Sequence, residues 1–253
     1  MINKIVSSCD EAVNEIIDGS IIAFGGFVGT GYAMNLIEAL VRKGSKNLTA
    51  ICTMAAGGLT PLHETKQIRK MITSFPVYYM PEHMPQVYNP FEDQLLSGEA
   101  EVEICPQGTL VMRMWMGCGG YGGFYTPAGV GTKIAEGKEV RNIDGKDYIF
   151  EKSLKADFAL IKAWKADRLG NLIYRKGASN FNPAFATSAT VTIVEVDEIV
   201  ESGDIDPSFI HTPSIYVDRV VLAKGKYPEI KLIYLDKDRA SEIKDIPHVG
   251  DNY

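Results

Sequence analysis

The 253-residue sequence holds no apolar run near the ~18–20 residues that a membrane-spanning helix needs. Its start, "MINKIVSSCDEAV", lacks the apolar segment of a secretory signal, so a cytoplasmic protein is expected. Cysteine is sparse. Cys9, Cys52, Cys105 and Cys118 form no C-x-x-C pair, which fits free thiols in a reducing compartment. The four histidines, His63, His83, His211 and His248, include no pair at helical spacing, and no metal site is expected. Neither G-x-S-x-G nor H-E-x-x-H occurs, which removes two common hydrolase signatures. Positive charge is not in excess: 26 Lys and Arg stand against 32 Asp and Glu, a net charge of −6. That argues against nucleic acid as the main partner. No internal repeat or low-complexity linker divides the chain.

What is present is ordinary globular material, 45% apolar and 23% charged, enough to bury a sizeable core. Ser8 and Glu11 have capping-box spacing, and Ala12, Val13, Ile16 and Ile17 are expected to line one face of a short helix. "SIIAF" (Ser20–Phe24) reads as a buried strand. After a glycine turn, Met34, Leu36, Ile37, Leu40 and Val41 give a helix stopped at Gly44, and "LTAIC" (Leu48–Cys52) is the next strand. This strand–helix–strand order predicts a parallel pair. "DFALIKAW" (Asp157–Trp164), "TVTIVEV" (Thr190–Val196) and "IYVDRVVLA" (Ile215–Ala223) read as further strands. "ADRLGNLIY" reads as a hairpin turn, and a helix is expected near Pro183–Ala189. The class is α/β: a single domain with a largely parallel or mixed open sheet flanked by helices. It is expected over residues 1–223, with a charged tail, 224–253, docking on the surface or on a partner.

Two segments break the rhythm. Phe75–Phe91 holds four prolines and five aromatics, which suits a surface excursion or a wall over a pocket. Gly117–Gly131 holds seven glycines in fifteen residues, tolerable where backbone must approach a ligand or another chain closely.

The stretch "FGGFVGTGYAMNLIEAL" (Phe24–Leu40) poses the functional question. A dinucleotide fingerprint fails, because Met34 stands at the third glycine position and Ile51–Met54 carries no carboxylate for a ribose. A nucleotide P-loop fails too, because Tyr32 and Ala33 replace its lysine and hydroxyl. What remains is a bare backbone loop at a helix N-terminus, able to receive an anion or to serve as a tight turn.

Longer motifs then carry a resemblance. "GGFVGTG" (Gly25–Gly31), "GEAEVEICPQGTL" (Gly98–Leu110), "GGFYTPAGVGT" (Gly122–Thr132), "ADFALIKAWKADRLGNLIYR" (Ala156–Arg175), "ASNFNP" (Ala178–Pro183) and Val194–Val221 together resemble the A subunit of class I, 3-oxoacid-type CoA-transferases. The likeness runs from about Ala12 to Val221 and implies the CoA-transferase (NagB/RpiA-like) fold. It implies transfer of CoA from an acyl-CoA to a free acid, with CoA as substrate and no metal or redox cofactor. In that family a glutamate of the B subunit, in an S-E-N-G motif, attacks the thioester and becomes a glutamyl-CoA thioester in ping-pong fashion. No "ENG" occurs here, and Glu99, Glu101 and Glu103 align with a non-catalytic strand. The resemblance therefore implies a chain that is silent alone. A B subunit supplies nucleophile and oxyanion donors, the active site lies at the A–B interface, and the assembly is A2B2.

By resemblance, Gly25, Gly26, Phe27, Val28, Gly29, Thr30 and Gly31 form the CoA-binding loop, and Gln107 lies near the reacting acyl group as a substrate-positioning amide. Asn180 and Asn182 are read as loop-fixing rather than catalytic. The chain departs from the family at "CTMAAGG" (Cys52–Gly58), where asparagine is frequent, and at "MRMWMG", where Met112 and Trp115 replace frequent Glu and Arg. The Phe75–Phe91 segment is also longer than usual. Met54, Gln107, Met112, Trp115 and Phe124 are accordingly expected to line a substrate pocket. Its apolar character favours a monocarboxylic or 3-oxo acid over a short dicarboxylate, whose distal charge needs a polar partner. The alternative is an acyl-CoA-binding or sensing module without transferase activity. A sugar-phosphate isomerase on a similar fold would need acid–base carboxylates in Gly25–Asn35, which has none.

Overall fold

The computed structural model describes residues 2–76, 87–223 and 233–234, with backbone only at 87–88 and 233–234. In chain order the first elements are α1 (Cys9–Ala12), β1 (Ile21–Phe24), α2 (Met34–Lys43), β2 (Leu48–Ile51), α3 (Thr60–Glu64), β3 (Ile68–Thr73), β4 (Val87–Tyr88), α4 (Pro90–Leu96) and β5 (Glu101–Ile104). Then follow α5 (Gln107–Cys118), β6 (Gly123–Thr126), β7 (Val140–Ile143), β8 (Lys146–Lys152), β9 (Ala156–Asp167), β10 (Leu172–Ile173), α6 (Asn182–Ala186), β11 (Ala189–Val200), β12 (Arg219–Leu222) and β13 (Ile233–Tyr234).

The main sheet runs β12-β11-β9-β1-β2-β3-β5, with all neighbours parallel and β10 folded back antiparallel on β9. Its central strands are covered on both faces, which is why they read as continuous apolar runs rather than alternating ones. On one face Ile22, Phe24, Leu48, Ala50, Leu160 and Ile193 pack with Leu36, Ile37 and Leu40 of α2. On the other, Ala23, Ile51, Ile72, Ile161 and Val194 pack with Leu110 and Met114 of α5 and Phe185 of α6. Each such large apolar side chain contributes about 1.5–3 kcal/mol on full burial. The i, i+3 spacing of the apolar residues makes α2 one-sided. Gly44, at φ +78°, ends it by donating its N–H to Leu40 O at 3.1 Å. A separate antiparallel sheet, β6-β8-β7, follows α5.

The parallel pair β1–β2 and the β9–β10 hairpin stand where the sequence puts them. In the hairpin, Asp167 Oδ1 accepts from Leu169 N at 3.0 Å and Asn171 N at 2.9 Å. Two expectations need correction. The first helix is a single turn: Ser8 Oγ caps Glu11 N at 3.1 Å, but Asn14 N bonds Glu11 O in the tighter i→i+3 manner. Ile17 is then 69% exposed rather than on a buried helix face. The last strand does not start at Ile215. Ser214–Tyr216 forms a 3-10 turn after Pro213, and pairing begins only at Arg219. The interior of the Phe75–Phe91 segment, 77–86, and most of the 224–253 tail lie outside the described residues. Within that tail, β13 pairs antiparallel with β4.

His63 of α3 is fully buried, packs on Phe91 and bonds Ala55 O through Nε2 at 3.1 Å. Burial disfavours its charged form and pushes it down to about 3, although the Ala55 carbonyl opposes the shift. The unfolded chain therefore takes up a proton below about 6.5 that the folded chain refuses. Stability falls by several kcal/mol as pH drops from about 6.5 towards 3, at about 1.4 kcal/mol per pH unit. Denaturant titrations across that range are expected to show this slope, and His63→Gln is expected to flatten it.

Candidate functional site

The carboxyl ends of the parallel strands gather the chain's ligand-type features, as expected for an open α/β sheet. β1 ends at Phe24, level with Leu160 of β9, and Gly25 N donates to Leu160 O at 3.0 Å. The next residues form a two-residue hairpin. Phe27 N donates to Thr30 O and Thr30 N to Phe27 O, both at 2.9 Å. Val28 at φ +44° and Gly29 at φ +77° match a type I′ turn. A β-branched residue in the left-handed region is strained, and Val28 is half exposed at the tip.

Asn182, at the start of α6 and fully buried, clamps this hairpin. Its Oδ1 accepts from Lys162 N at 2.9 Å, and its Nδ2 donates to Gly31 O at 2.9 Å and Ala178 O at 3.0 Å. Asn180 Nδ2 adds a bond to Thr30 O at 3.0 Å. Both asparagines thus fix the loop, as read from the sequence. A Cβ at Gly25 would land on Asn182 Oδ1. Gly26 and Gly58 hold the ring of Tyr32 between them, joining the hairpin to the loop after β2. Thr53 Oγ1 donates to Gly26 O at 3.3 Å, a second tie between the two loops.

Of the two readings left open for the loop, an anion at the α2 N-terminus meets a position that the chain itself fills. Ala33 offers no side-chain cap, and Glu195 of β11 fills the position instead. Its Oε2 accepts from Asn35 N at 2.9 Å and Leu36 N at 3.1 Å, while Oε1 accepts from Asn35 Nδ2 at 2.9 Å. Burial raises the Glu195 carboxyl above its ordinary value, with Asn35 and the Lys162 charge pulling the other way.

Beside the hairpin stands a small apolar cluster, Phe27, Met54, Ala56 and Phe75. Met54 bridges Phe75, and Cys52 Sγ donates to Met54 O at 3.1 Å. Burial pushes the Cys52 thiol up to about 12, so it is no nucleophile at neutral pH. Gln107 opens α5 directly after β5. Its Nε2 is buried with no partner among the described residues, as is Ser74 Oγ at the end of β3.

The remaining expected pocket residues stand elsewhere. α5 descends along the sheet until Leu154 N meets Arg113 O at 2.8 Å and Ser188 Oγ meets Met114 O at 2.8 Å. Leu154 and Ser188 precede β9 and β11, so this end of α5 lies at the amino edge of the sheet. Met112 is midway down the helix, Trp115 is half exposed near its end, and Phe124 pairs with Glu151 on β6–β8. The hairpin is thus brought together with Met54, and Gln107 stands at the same edge. Trp115 and Phe124 are not brought there. The glycines of Gly117–Gly131 include two that serve the chain's own packing: Gly117 lies against Leu154 O and Gly123 against Glu151 O.

The acidic cluster is engaged in ion pairs: Glu99 with Lys66, Glu101 with Arg69, Glu103 with Lys70 and Arg113. Burial alone would raise Glu103, but the Arg113 bond and charge outweigh it and hold the carboxyl low. Among the described residues no group of three or more His, Cys, Asp or Glu could hold a metal ion. No helix among them is long and apolar enough to cross a membrane.

A mostly parallel open sheet flanked by helices, with a backbone hairpin at its carboxyl edge, defines an α/β protein of the open-sheet class. The family model described as Coenzyme A transferase matches residues 6–223, and the chain belongs to that family. It is 46% identical over 231 residues to the A subunit of a probable succinyl-CoA:3-ketoacid coenzyme A transferase of Bacillus subtilis, covering 90% of this chain and 93% of that one. It is 45% identical to the A subunit of the 3-oxoadipate CoA-transferase of Acinetobacter baylyi, covering 87% and 95%. The fold is shared with glutaconate coenzyme A-transferase of Acidaminococcus fermentans, at TM-score 0.74 and 19% identity over 87% of this chain and 75% of that one. It is also shared with an acyl-CoA transferase of Escherichia coli O157:H7, at TM-score 0.75 and 20% identity. This chain covers 88% of its own length there but spans half of that longer chain.

Gly25→Ala is expected to displace Asn182 and cost about 2–3 kcal/mol, read as a drop of roughly 4–10 °C in Tm. Gly108→Ala, inside α5 with nothing within 4 Å of the added carbon, is expected to be neutral or stabilising by up to about 1 kcal/mol.

Proposed function

We propose that this chain is the A subunit of a heteromeric CoA-transferase that presents CoA to a nucleophile carried by a B subunit, in an A2B2 assembly. One observation carries the reading. The hairpin at the carboxyl edge has exposed backbone at its tip, and among the described residues the carboxylates beside it are already engaged, Glu195 by α2 and Asp197 by Lys162. A glutamate from another chain is then needed for chemistry at this edge. The relatives' designation as A subunits supports the same division of labour.

In that reaction the partner's carboxylate attacks the thioester carbonyl and the CoA thiolate leaves, giving an acyl-glutamyl anhydride. The thiolate then attacks the glutamyl carbonyl, releasing the acid and leaving CoA on the glutamate. The acceptor acid takes CoA by the reverse steps. The part of this chain is positional. The clamped Gly25–Gly31 hairpin meets CoA, and the binding energy of its long tail is available to the reacting centre. The Gln107 Nε2 hydrogens point a neutral donor at the acyl oxygens without neutralising the partner's carboxylate. Phe27, Met54 and Phe75 wall the acyl group with apolar surface. This favours a monocarboxylic or 3-oxo acid acceptor.

Co-expression with a B subunit is expected to give acyl-CoA exchange that the isolated chain lacks. Full-rate transfer by the isolated chain would refute the division of labour. Gln107→Ala is expected to lower kcat/KM for the acid by about 10–100-fold, the worth of one buried hydrogen bond of about 1–3 kcal/mol. Steady-state comparison of butyrate, acetoacetate and succinate tests the pocket, and a clear preference for succinate would overturn its apolar reading.

A further inference from the structure

We propose that Glu195 is a positioning residue: its carboxylate takes the place of a ligand anion at the start of α2 and so presets the glycine hairpin. The local sequence of α2 cannot do this. Ala33 has no capping side chain, and the first turn contains no acidic residue. The positive end of the helix is instead satisfied from 160 residues away, by β11, which β9 separates from β1. Register explains the reach. Glu195 pairs with Lys162 on β9, two residues beyond Leu160, which pairs with the last residue of β1. Glu195 therefore stands level with the hairpin's entry, on the face that α2 covers, with the Lys162 ammonium as its cross-strand counter-charge.

The chain leaving the hairpin is thereby held at two successive points, by Asn182 at Gly31 and by Glu195 at the helix that follows. An external phosphate is excluded from the Asn35 and Leu36 amides, because Glu195 already uses them. The ligand must be met by the hairpin itself, around Val28 and Gly29, rather than by the helix terminus. The part of this inference that concerns ligand binding rests on the CoA reading above. The part that concerns the loop does not.

The test is chemical rescue. Glu195→Ala leaves a cavity of carboxylate size at the start of α2. Hydrogen exchange followed by mass spectrometry is expected to show the amides of residues 26–37 opening by about tenfold or more. Exchange in α5 and β8 is expected to stay near the wild-type level. Added formate is expected to refill the cavity and restore slow exchange in the variant while leaving the wild type unchanged. Wild-type exchange at 26–37 in the variant, or a uniform rise across the sheet that formate does not reverse, overturns the proposal. If Glu195→Ala does not fold, Glu195→Gln carries the test. It keeps one acceptor oxygen, so a smaller opening confined to the same amides is expected, and no opening overturns the proposal. In the assembled enzyme without acyl donor, CoA affinity is expected to fall about tenfold in Glu195→Ala and to recover with formate. Local opening with unchanged CoA affinity removes the ligand part. Absence of CoA binding by the wild type instead refutes the proposed function, and the exchange result stands apart from it.

Discussion

The buried amide of Asn182 is the constraint on which the ligand edge depends. One side chain bonds β9 through Lys162 N, the hairpin through Gly31 O and its own approach turn through Ala178 O. Each bond to a buried backbone group contributes about 1 kcal/mol, but leaving those groups unpaired would cost more than forming the bonds gains. Gly25 is the consequence, because the clamp occupies the space a Cβ would need. The glycine at that position therefore reports a protein side chain, and not a ligand, against the backbone.

The same principle of internal satisfaction recurs at α2. Helix N-termini in α/β proteins commonly receive anions, and the sequence alone points that way. Here the anion is built in. A carboxylate of β11 answers amides that follow β1, so the sheet and the loop specify one another. The carboxylate is costly to bury, and its raised proton affinity reports that cost. Three hydrogen bonds, the helix's positive end and Lys162 offset it.

Much of the architecture was legible from periodicity. β1, α2, β2, β9 and β11 have strong apolar patterns; β1, α2 and β2 stand close to their expected limits, while β9 and β11 run on to Asp167 and Val200. Short elements were harder. α3 and α4 are one- or two-turn helices begun by Pro61 and Pro90, and they owe their existence to packing of Leu62 and Phe91 rather than to any long repeat. Ile17 and Ile215 misled because an apolar residue carries no label for the solvent it faces. Within the site, the hairpin, Met54 and Gln107 were reachable from motif and resemblance. Trp115 and Phe124 were not resolved from them, since α5 carries its later residues to the far edge of the sheet. Glu195 was invisible for another reason. Its partners are 160 residues distant, and only strand register places it at α2.

In the proposed function labour is divided: this chain would set the CoA loop, and another chain would hold the reactive carboxylate. The most direct test is intact-mass analysis of both subunits after the assembled enzyme has been exposed to acyl-CoA and quenched. The account predicts a CoA-sized adduct on the B subunit and none on this chain. A stoichiometric adduct on a carboxylate of this chain would contradict it.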